Sequence, residues 1–191
     1  MKTLQIIIPV RTGGNAYTTL ASLAKQTYRD FDIVVSQDEW GNANRARNEG
    51  LRLAAPSKYV LFSDDDIDWY PEALRWMVDL LDGHPHFAYA YGTYLMGDRS
   101  YCHQHFNLAL LKQRNFVSMM SVFRRDQFPG WDESIERLQD YELVLRLAKA
   151  GKYGQHCGHV IFETAVRDGI TRNGKISYEE AFQIIRRKHG L

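Results

Sequence analysis

The chain has 191 residues, 45% of them hydrophobic and 25% charged, and its formal net charge is +1 at pH 7. That length suits one domain with a sizeable core, and the near-zero charge gives no general electrostatic basis for binding nucleic acid or a membrane surface. The two cysteines, Cys102 and Cys157, lack the spacing of metal ligands. No apolar run reaches the length of a membrane-spanning helix, and Leu4–Val10 is too short for a secretory signal. We therefore expect a cytoplasmic protein with reduced thiols.

The first half of the sequence alternates apolar runs with helical patterns. Leu4–Val10 is nearly continuous in apolar character, as is typical of a strand buried on both faces. Phe31–Val35 and Tyr59–Phe62 are predicted to be the second and third strands. A helical pattern follows each of the three strands, with apolar residues on one face over 17–24, 43–54 and 74–81. Pro71 suits the first position of the third helix, which ends near Gly83. This order predicts an α/β fold with a parallel sheet and right-handed crossovers.

The second half is less regular. Phe87–Leu95 and Phe116–Phe123 are predicted strands, and Tyr153–Glu163 is predicted to be extended. A helix runs from about Asp140 to Ala150, and Gly151 ends it. Ser177 and Glu180 form a capping box for a last helix that ends near Gly190. We find no internal repeat and no clear linker, so we predict one domain over residues 1–191.

Polar loops follow the three predicted parallel strands. They are Arg11–Gly14, Ser36–Gly41 and Ser63–Asp66, and Arg47 lies early in the helix after the second of them. Ligands of open α/β sheets bind outside the carboxyl ends of the strands, so we expect these loops to meet at one site. Acidic and basic groups together suit a divalent cation and a phosphate-bearing ligand.

The third loop contains Asp64, Asp65 and Asp66, and Asp68 follows two residues later. Adjacent carboxylates raise one another's pKa, so a cation is one explanation of the cluster. Aspartates after a strand also form turns and helix caps through local backbone hydrogen bonds. Asp68, just ahead of the predicted third helix, fits the capping role. From these residues alone, a metal site and a turn both stay open.

Asp140 is a second unusual carboxylate. Glu142, Arg146 and Lys149 share the polar face of its predicted helix, whereas Asp140 falls outside that face, nearer Val144 and Leu147. A carboxylate at a helix N-terminus commonly stabilises the helix dipole. A partly desolvated carboxylate can instead act as a general base. Taken alone, the stabilising role is the more common one.

Together these segments resemble the family 2 glycosyltransferases of the GT-A fold. The resemblance covers roughly residues 4–151. It rests on a DxD motif framed by Ala46-Arg47-Asn48 upstream and by the segment Asp140–Gly151 downstream. It implies a Rossmann-like, mostly parallel central sheet flanked by helices, with a smaller mixed or antiparallel part on the acceptor side. The nucleotide-sugar half would be about 1–95 and the acceptor half about 96–191.

The activity that the resemblance implies is metal-dependent, inverting transfer of a sugar from a nucleotide-sugar, most often a UDP-sugar, to an acceptor hydroxyl. The implied nucleotide contacts are Pro9, Arg11, Thr12, Asp38 (at the base), Arg47 and Asp65 (at the sugar or ribose). Asp64 and Asp66 would hold Mn²⁺ or Mg²⁺ on the diphosphate. Asp140 would be the general base.

Three positions depart from the family pattern. Ser36 and Gln37 precede a single acid, Asp38, where the family often has two. Gln139 stands where Glu commonly precedes the catalytic aspartate, which should lower the pKa of Asp140 relative to a paired site. The late loop Arg167–Thr171 lacks the metal-binding His of some members.

The acceptor is left open by the sequence. A glycan, a lipid-linked sugar, a protein, a small molecule or a modified nucleobase all fit. Phe87–Tyr94, Tyr101–Phe106 and Trp131 could line its groove or could be core.

Two other functions also stay open. A sugar-nucleotide nucleotidyltransferase would use a glycine-rich first loop with a lysine, but Gly13 and Gly14 have no lysine beside them. A non-catalytic nucleotide-sugar binding module is the other, and the Gln139 departure is compatible with it.

Overall fold

A computed structural model of the protein describes residues 2–165 and 176–191. Within these residues the strands are β1 (Leu4–Arg11), β2 (Phe31–Asp38), β3 (Tyr59–Phe62), β4 (Ile67–Trp69), β5 (Tyr89–Met96), β6 (Arg99–Tyr101), β7 (Val122–Arg124) and β8 (Gly154–Thr164). The helices are α1 (Tyr17–Leu23), α2 (Ala43–Leu53), α3 (Ala73–Gly83), α4 (Leu108–Leu111), α5 (Gln139–Lys149) and α6 (Tyr178–His189). None of the described helices is long and apolar enough to cross a membrane.

The eight strands within the described residues form one sheet, in the order β2-β1-β3-β7-β5-β8-β4, with β6 beside β5. β1 pairs in parallel with β2 and β3, and β5 pairs in parallel with β8. The three-residue strands β4, β6 and β7 run in the opposite direction. The predicted α/β class and the mostly parallel sheet with a mixed second part are confirmed.

The register of the three parallel strands brings their polar ends together. Leu4 pairs with both Phe31 and Tyr59, and Arg11 at the end of β1 is the partner of Asp38. Leu4–Ile8 and Val10 of β1 are buried, as the apolar run predicts. Burial of each such Leu or Ile side chain stabilises the folded state by roughly 1.5–3 kcal/mol. The loops at this edge of the sheet are therefore attached to a well-packed core.

Gly50 sets how closely α2 approaches this core. A Cβ atom at Gly50 would lie 2.5 Å from Ile7 Cγ2 and 3.0 Å from Ser36 Oγ. Glycine therefore allows the helix to pack directly on β1 and β2. The close packing places Arg47, one helical turn earlier, beneath the strand ends.

The predicted start of the third helix is wrong. α3 begins at Ala73, and Pro71 precedes it by two residues. Residues 67–69 form β4 instead, paired with Phe162–Thr164 of β8. Asp68 is exposed on this strand and is not the helix cap. Because the partner of β4 lies far along the chain, no local sequence pattern predicts this strand.

The structure also differs from the prediction at two apolar segments. Of the predicted strand Phe116–Phe123, only the end is extended, as β7. Phe116 and Val117 lie in a loop, and their side chains are buried in the core. An apolar run predicts burial but does not specify strand pairing. Tyr17, assigned to the apolar face of α1, is 76% exposed.

The helix ends agree with the sequence. Ser177 Oγ accepts a hydrogen bond from the backbone N–H of Glu180 at 3.1 Å, as the capping box predicts. Gly151 and Gly190 follow α5 and α6 with φ of 72°, the left-handed backbone that glycine adopts without strain.

Candidate active site

Arg47 connects the two parts of the candidate site. Its side chain is 4% exposed, and its guanidinium donates hydrogen bonds to Asp64 at 3.1 Å, Gln139 at 3.3 Å and Asn44 at 2.9 Å. The ring of Trp131 lies 5.0 Å beneath it. Arg47 therefore joins the acidic loop after β3 to the first turn of α5.

The backbone of the acidic loop is fixed by hydroxyl groups. Thr19 of α1 donates to the carbonyl of Asp64 at 2.8 Å and accepts from the N–H of Ile67 at 2.9 Å. Ser63 Oγ donates to the same carbonyl at 3.0 Å and accepts from Trp69 Nε1. The loop is thus held from both sides, and its carboxylates remain at least partly exposed.

The three carboxylates concentrate negative charge. Burial raises the pKa of Asp65, and the charges of Asp64 and Asp66 raise it further. Hard oxygen donors of this kind suit Mg²⁺ or Mn²⁺. No cluster of three or more His, Cys, Asp or Glu able to hold a metal occurs among residues 2–165 and 176–191. Metal binding by Asp64 and Asp66 therefore stays a prediction, and it would require further ligands from water or phosphate.

The first loop lies beside the second, as predicted. Gly14 closes a turn by donating to the carbonyl of Arg11 at 2.8 Å, and Thr12 Oγ1 donates to the carbonyl of Asp38 at 3.4 Å. Arg11 is exposed at this edge, and Pro9 is half-buried in β1. The structure therefore brings the predicted nucleotide contacts of β1 next to the end of β2.

Asp38 has a local role as well. Its carboxylate is buried and accepts hydrogen bonds from the backbone N–H groups of Trp40 at 3.2 Å and Asn42 at 2.9 Å. These bonds shape the loop after β2. Contact with a nucleotide base remains a prediction.

Asp140 lies in the first turn of α5. The residue before the helix, Leu138, has φ of 58°, a left-handed backbone that costs a non-glycine residue roughly 1–2 kcal/mol. The Asp140 carboxylate accepts from the N–H of Tyr141 at 2.8 Å and is hydrogen-bonded to the side chain of Asn115. Burial outweighs these bonds and the nearby Arg47 charge, and it raises the pKa of Asp140 to about 6. Such a group is ionised at neutral pH but titrates close to it, as a general base should.

A cavity of about 190 Å³ opens beside Asp140. Its walls come from residues 100–104 and 114–118, with Tyr94 on one side. Part of the predicted acceptor segment Tyr101–Phe106 therefore lines a pocket that holds the candidate base. Trp131 does not line it, because its 4% exposed ring packs 5.2 Å from Phe62 and 5.8 Å from Phe128 in the core.

The opposite face of α5 is covered by α6. Glu142, assigned to the polar face, is only 1% exposed and pairs with Arg146 at 3.1 Å and Lys188 at 2.6 Å. Lys188 also contacts Asp132. The i,i+4 pair with Arg146 was visible in the sequence, but the burial of Glu142 was not, since it depends on Lys188 and the packing of the C-terminal helix.

Sequence reasoning missed the asparagines of α2. Asn44 donates to the carbonyls of Asp132 and Ile135, and Asn48 donates to that of Trp131. With Arg47 they occupy one helical face at i, i+3 and i+4 spacing, and a polar set at that spacing on a packed helix was the available signal. The predicted late loop Arg167–Thr171 lies outside the described residues.

Comparisons with known proteins agree with this fold. The structure superposes on Staphylococcus aureus TarS, residues 1–349, solved in complex with UDP-GlcNAc, with a TM-score of 0.77 and 18% identity over 99% of this chain and 65% of that one. The TarS complex with UDP gives a TM-score of 0.70 and 17% identity over 98% of this chain and 70% of that one. No family model matches the chain.

Two curated proteins are similar in sequence. The amylovoran biosynthesis glycosyltransferase AmsB of Erwinia amylovora is 23% identical over 76% of this chain and 64% of its own length. The uncharacterized protein y4gI of Sinorhizobium fredii is 28% identical over 59% of this chain and 13% of its own length. The chain thus spans less than two thirds of either relative. It has the GT-A fold, and the comparisons support the resemblance to family 2 glycosyltransferases that its motifs indicate.

Proposed function

We propose that the protein is a metal-dependent inverting glycosyltransferase that moves a sugar from a nucleotide-sugar to an acceptor hydroxyl, with Asp140 as general base. One observation carries the proposal. Arg47 bonds both to Asp64 of the acidic loop and to Gln139, the neighbour of Asp140. The donor-side acids and the candidate base are therefore parts of one connected site.

The proton and the electrons can be followed through the reaction. The acceptor oxygen forms a bond to the anomeric carbon, and the bond from that carbon to the diphosphate oxygen breaks with its electron pair. The acceptor proton passes to the carboxylate of Asp140. Attack from the side opposite the leaving group inverts the anomeric centre.

Residues of this chain would stabilise the negative charge that develops on the leaving diphosphate. Arg47 and Arg11 are the cations beside the acidic loop. A divalent cation held by Asp64 and Asp66 would supply Lewis-acid stabilisation of that charge. Fixed charges at the site need little reorganisation during the reaction, which is the main source of such stabilisation.

A UDP-sugar is the favoured donor. TarS, with the same fold, was solved with UDP-GlcNAc and with UDP. The exposed loop around Trp40, which Asp38 shapes, lies at the end of β2 where the resemblance puts the base. The proposal therefore assigns Pro9, Arg11, Thr12, Asp38, Arg47 and Asp65 to the nucleotide-sugar.

Thermal unfolding with UDP-, GDP-, dTDP- and CDP-sugars, each with and without Mn²⁺, tests the donor and the metal together. Binding to the folded state raises its stability by mass action. We expect the largest shift with a UDP-sugar plus Mn²⁺, followed by release of UDP when an acceptor is added. If no nucleotide-sugar gives a Mn²⁺-dependent shift, the proposal is wrong.

A further inference from the structure

The size of the pocket beside Asp140 limits what it can hold. Its volume of about 190 Å³ is below the roughly 300–1,000 Å³ that encloses a drug-sized ligand. One small ring with a substituent fits. A larger acceptor would place only its reacting end inside.

One wall offers a rigid aromatic surface. Tyr101 stacks on Tyr94 with ring centres 5.1 Å apart and planes 15° apart, and Tyr94 stacks on Phe162 at 4.9 Å and 7°. The stack fixes the orientation of Tyr101, which is half-buried in the pocket wall. A fixed aromatic face suits the C–H face of a sugar ring.

The pocket also contains a cation without a partner among the described residues. Arg114 is exposed, and its side chain makes no hydrogen bond or ion pair within residues 2–165 and 176–191. Its neighbour Asn115 bonds to Asp140, so the cation and the carboxylate belong to one pocket. Among the described residues that line the pocket, Asp140 is the only acid. An acidic ligand would be repelled by Asp140 unless a cation held its charge, and guanidinium binds carboxylate and phosphate oxygens well.

A buried amide in the same wall lacks a partner too. Gln104 Oε1 is buried and has no hydrogen-bond partner in the described part of the chain. Buried polar atoms are nearly always hydrogen-bonded, so this acceptor calls for a donor. A sugar hydroxyl in the pocket would supply one.

We infer that this pocket binds an acidic sugar, with the ring against Tyr101, a hydroxyl on Gln104 and the carboxylate or phosphate of the sugar on Arg114. The inference rests on the proposed function, because it names the acceptor class of that reaction. The free hydroxyl that faces Asp140 would be the one that receives the transferred sugar.

Binding of three related sugars without any donor tests the inference. Methyl glucoside, methyl glucuronide and glucose 6-phosphate share one ring and differ in charge. We expect at least one acidic sugar to bind about tenfold more tightly than the glucoside, the size of one charge-assisted contact. Preference for the glucuronide identifies a carboxylate, and preference for the phosphate identifies a phosphate.

The matched variants are Arg114→Gln and Arg187→Gln. Arg187 is an exposed arginine of α6 that does not line the pocket. We expect Arg114→Gln to remove the preference for acidic sugars and Arg187→Gln to retain it. Equal binding of all three sugars, no binding of any, or an unchanged preference in Arg114→Gln would each overturn the inference.

Nucleotide-sugar binding is measured in parallel on the unsubstituted protein. If the protein binds nucleotide-sugars but does not distinguish the acidic sugars, the result contradicts this inference and leaves the proposed function intact. One that binds acidic sugars through Arg114 but binds no nucleotide-sugar supports the pocket and contradicts the proposed function.

Discussion

Arg47 Nη2 lies 3.1 Å from Asp64 Oδ1, so a buried cation neutralises a carboxylate that is 40% exposed. The negative charge of Asp64 is therefore already balanced by a cation of the protein itself, Arg47. A metal ion at the acidic loop would share that carboxylate with Arg47, and a diphosphate would compete for the guanidinium.

We predict opposite effects on metal and nucleotide when Arg47 is replaced by Gln. Mn²⁺ alone should bind up to about fivefold more tightly, the change that loss of one partly exposed ion pair of at most about 1 kcal/mol produces. Affinity for UDP should fall, because the phosphate loses a cation. Titration calorimetry with each ligand measures both.

The control for this variant is Arg52→Gln, on the exposed side of the same helix, where Arg52 pairs with Glu49. It should change neither affinity. A general loss of folding would weaken both ligands in Arg47→Gln, so parallel losses would contradict the predicted exchange.

Replacing Asp140 by Asn should reduce kcat by about 10²–10⁴-fold, the usual contribution of a general base. Donor affinity should stay within about twofold, because in the proposal Asp140 faces the acceptor. Steady-state rates and donor titration separate the two effects. Asp79→Asn, an exposed acid of α3, is the control, and unchanged turnover in Asp140→Asn would remove Asp140 from the mechanism.

The pH dependence of the rate follows from the Asp140 pKa of about 6. A base must be ionised to accept a proton, so kcat/KM should be constant above about pH 7 and fall about tenfold per pH unit below 6. Initial rates between pH 4.5 and 8.5 give the midpoint. An acid limb that persists unchanged in Asp140→Asn would assign the titration to another group.

The same pKa predicts a stability gain in Asp140→Asn. The folded pKa of about 6 exceeds the ordinary value of 3.8, so the unfolded chain loses this proton first as pH rises. The contribution of the carboxyl group is therefore favourable below pH 4 and lost by pH 7. For this half-buried group we expect the variant to be about 1–3 kcal/mol more stable at pH 7.

Thermal unfolding at two pH values checks this gain. A chain of this size changes Tm by about 2–4 °C per kcal/mol, so the variant should melt several degrees higher at pH 7. The difference should shrink to about 0.5 kcal/mol at pH 4, where the carboxyl group is protonated in the folded state and roughly half protonated in the unfolded chain. An equal gain at both pH values would mean that burial of charge is not its cause.

The acidic loop should account for the metal-dependent part of nucleotide binding. With UDP and Mn²⁺ at about 100 times the dissociation constant, mass action stabilises a protein by about 2.7 kcal/mol, or roughly 5–10 °C here. We expect Asp64→Asn and Asp66→Asn each to abolish the Mn²⁺-dependent part of that shift. Asp68→Asn, on the exposed face of β4, should keep it; loss in all three variants would argue against a specific site.

Local sequence patterns predicted the parts of the fold whose causes are local. The buried runs of β1 and β3, the helical faces, the Ser177 cap and the glycine helix ends each depend on neighbouring residues. Their order then predicted the parallel sheet, since a helical crossover returns the chain in the same direction. The loops at the carboxyl ends of the strands were expected to meet for the same reason, and the structure places them at one edge.

Tertiary structure decided what depends on distant partners. Residues around Asp68 form a strand because they pair with β8. Glu142 is buried because α6 packs over it and supplies Lys188 as its partner. The link from Arg47 to Gln139 joins residues far apart in the chain. The sequence alone determined which residues carry charge and which form the core. Only folding determined the dielectric surroundings and the neighbours of each charge, and these set the pKa of Asp140 and the pocket that it shares with Arg114.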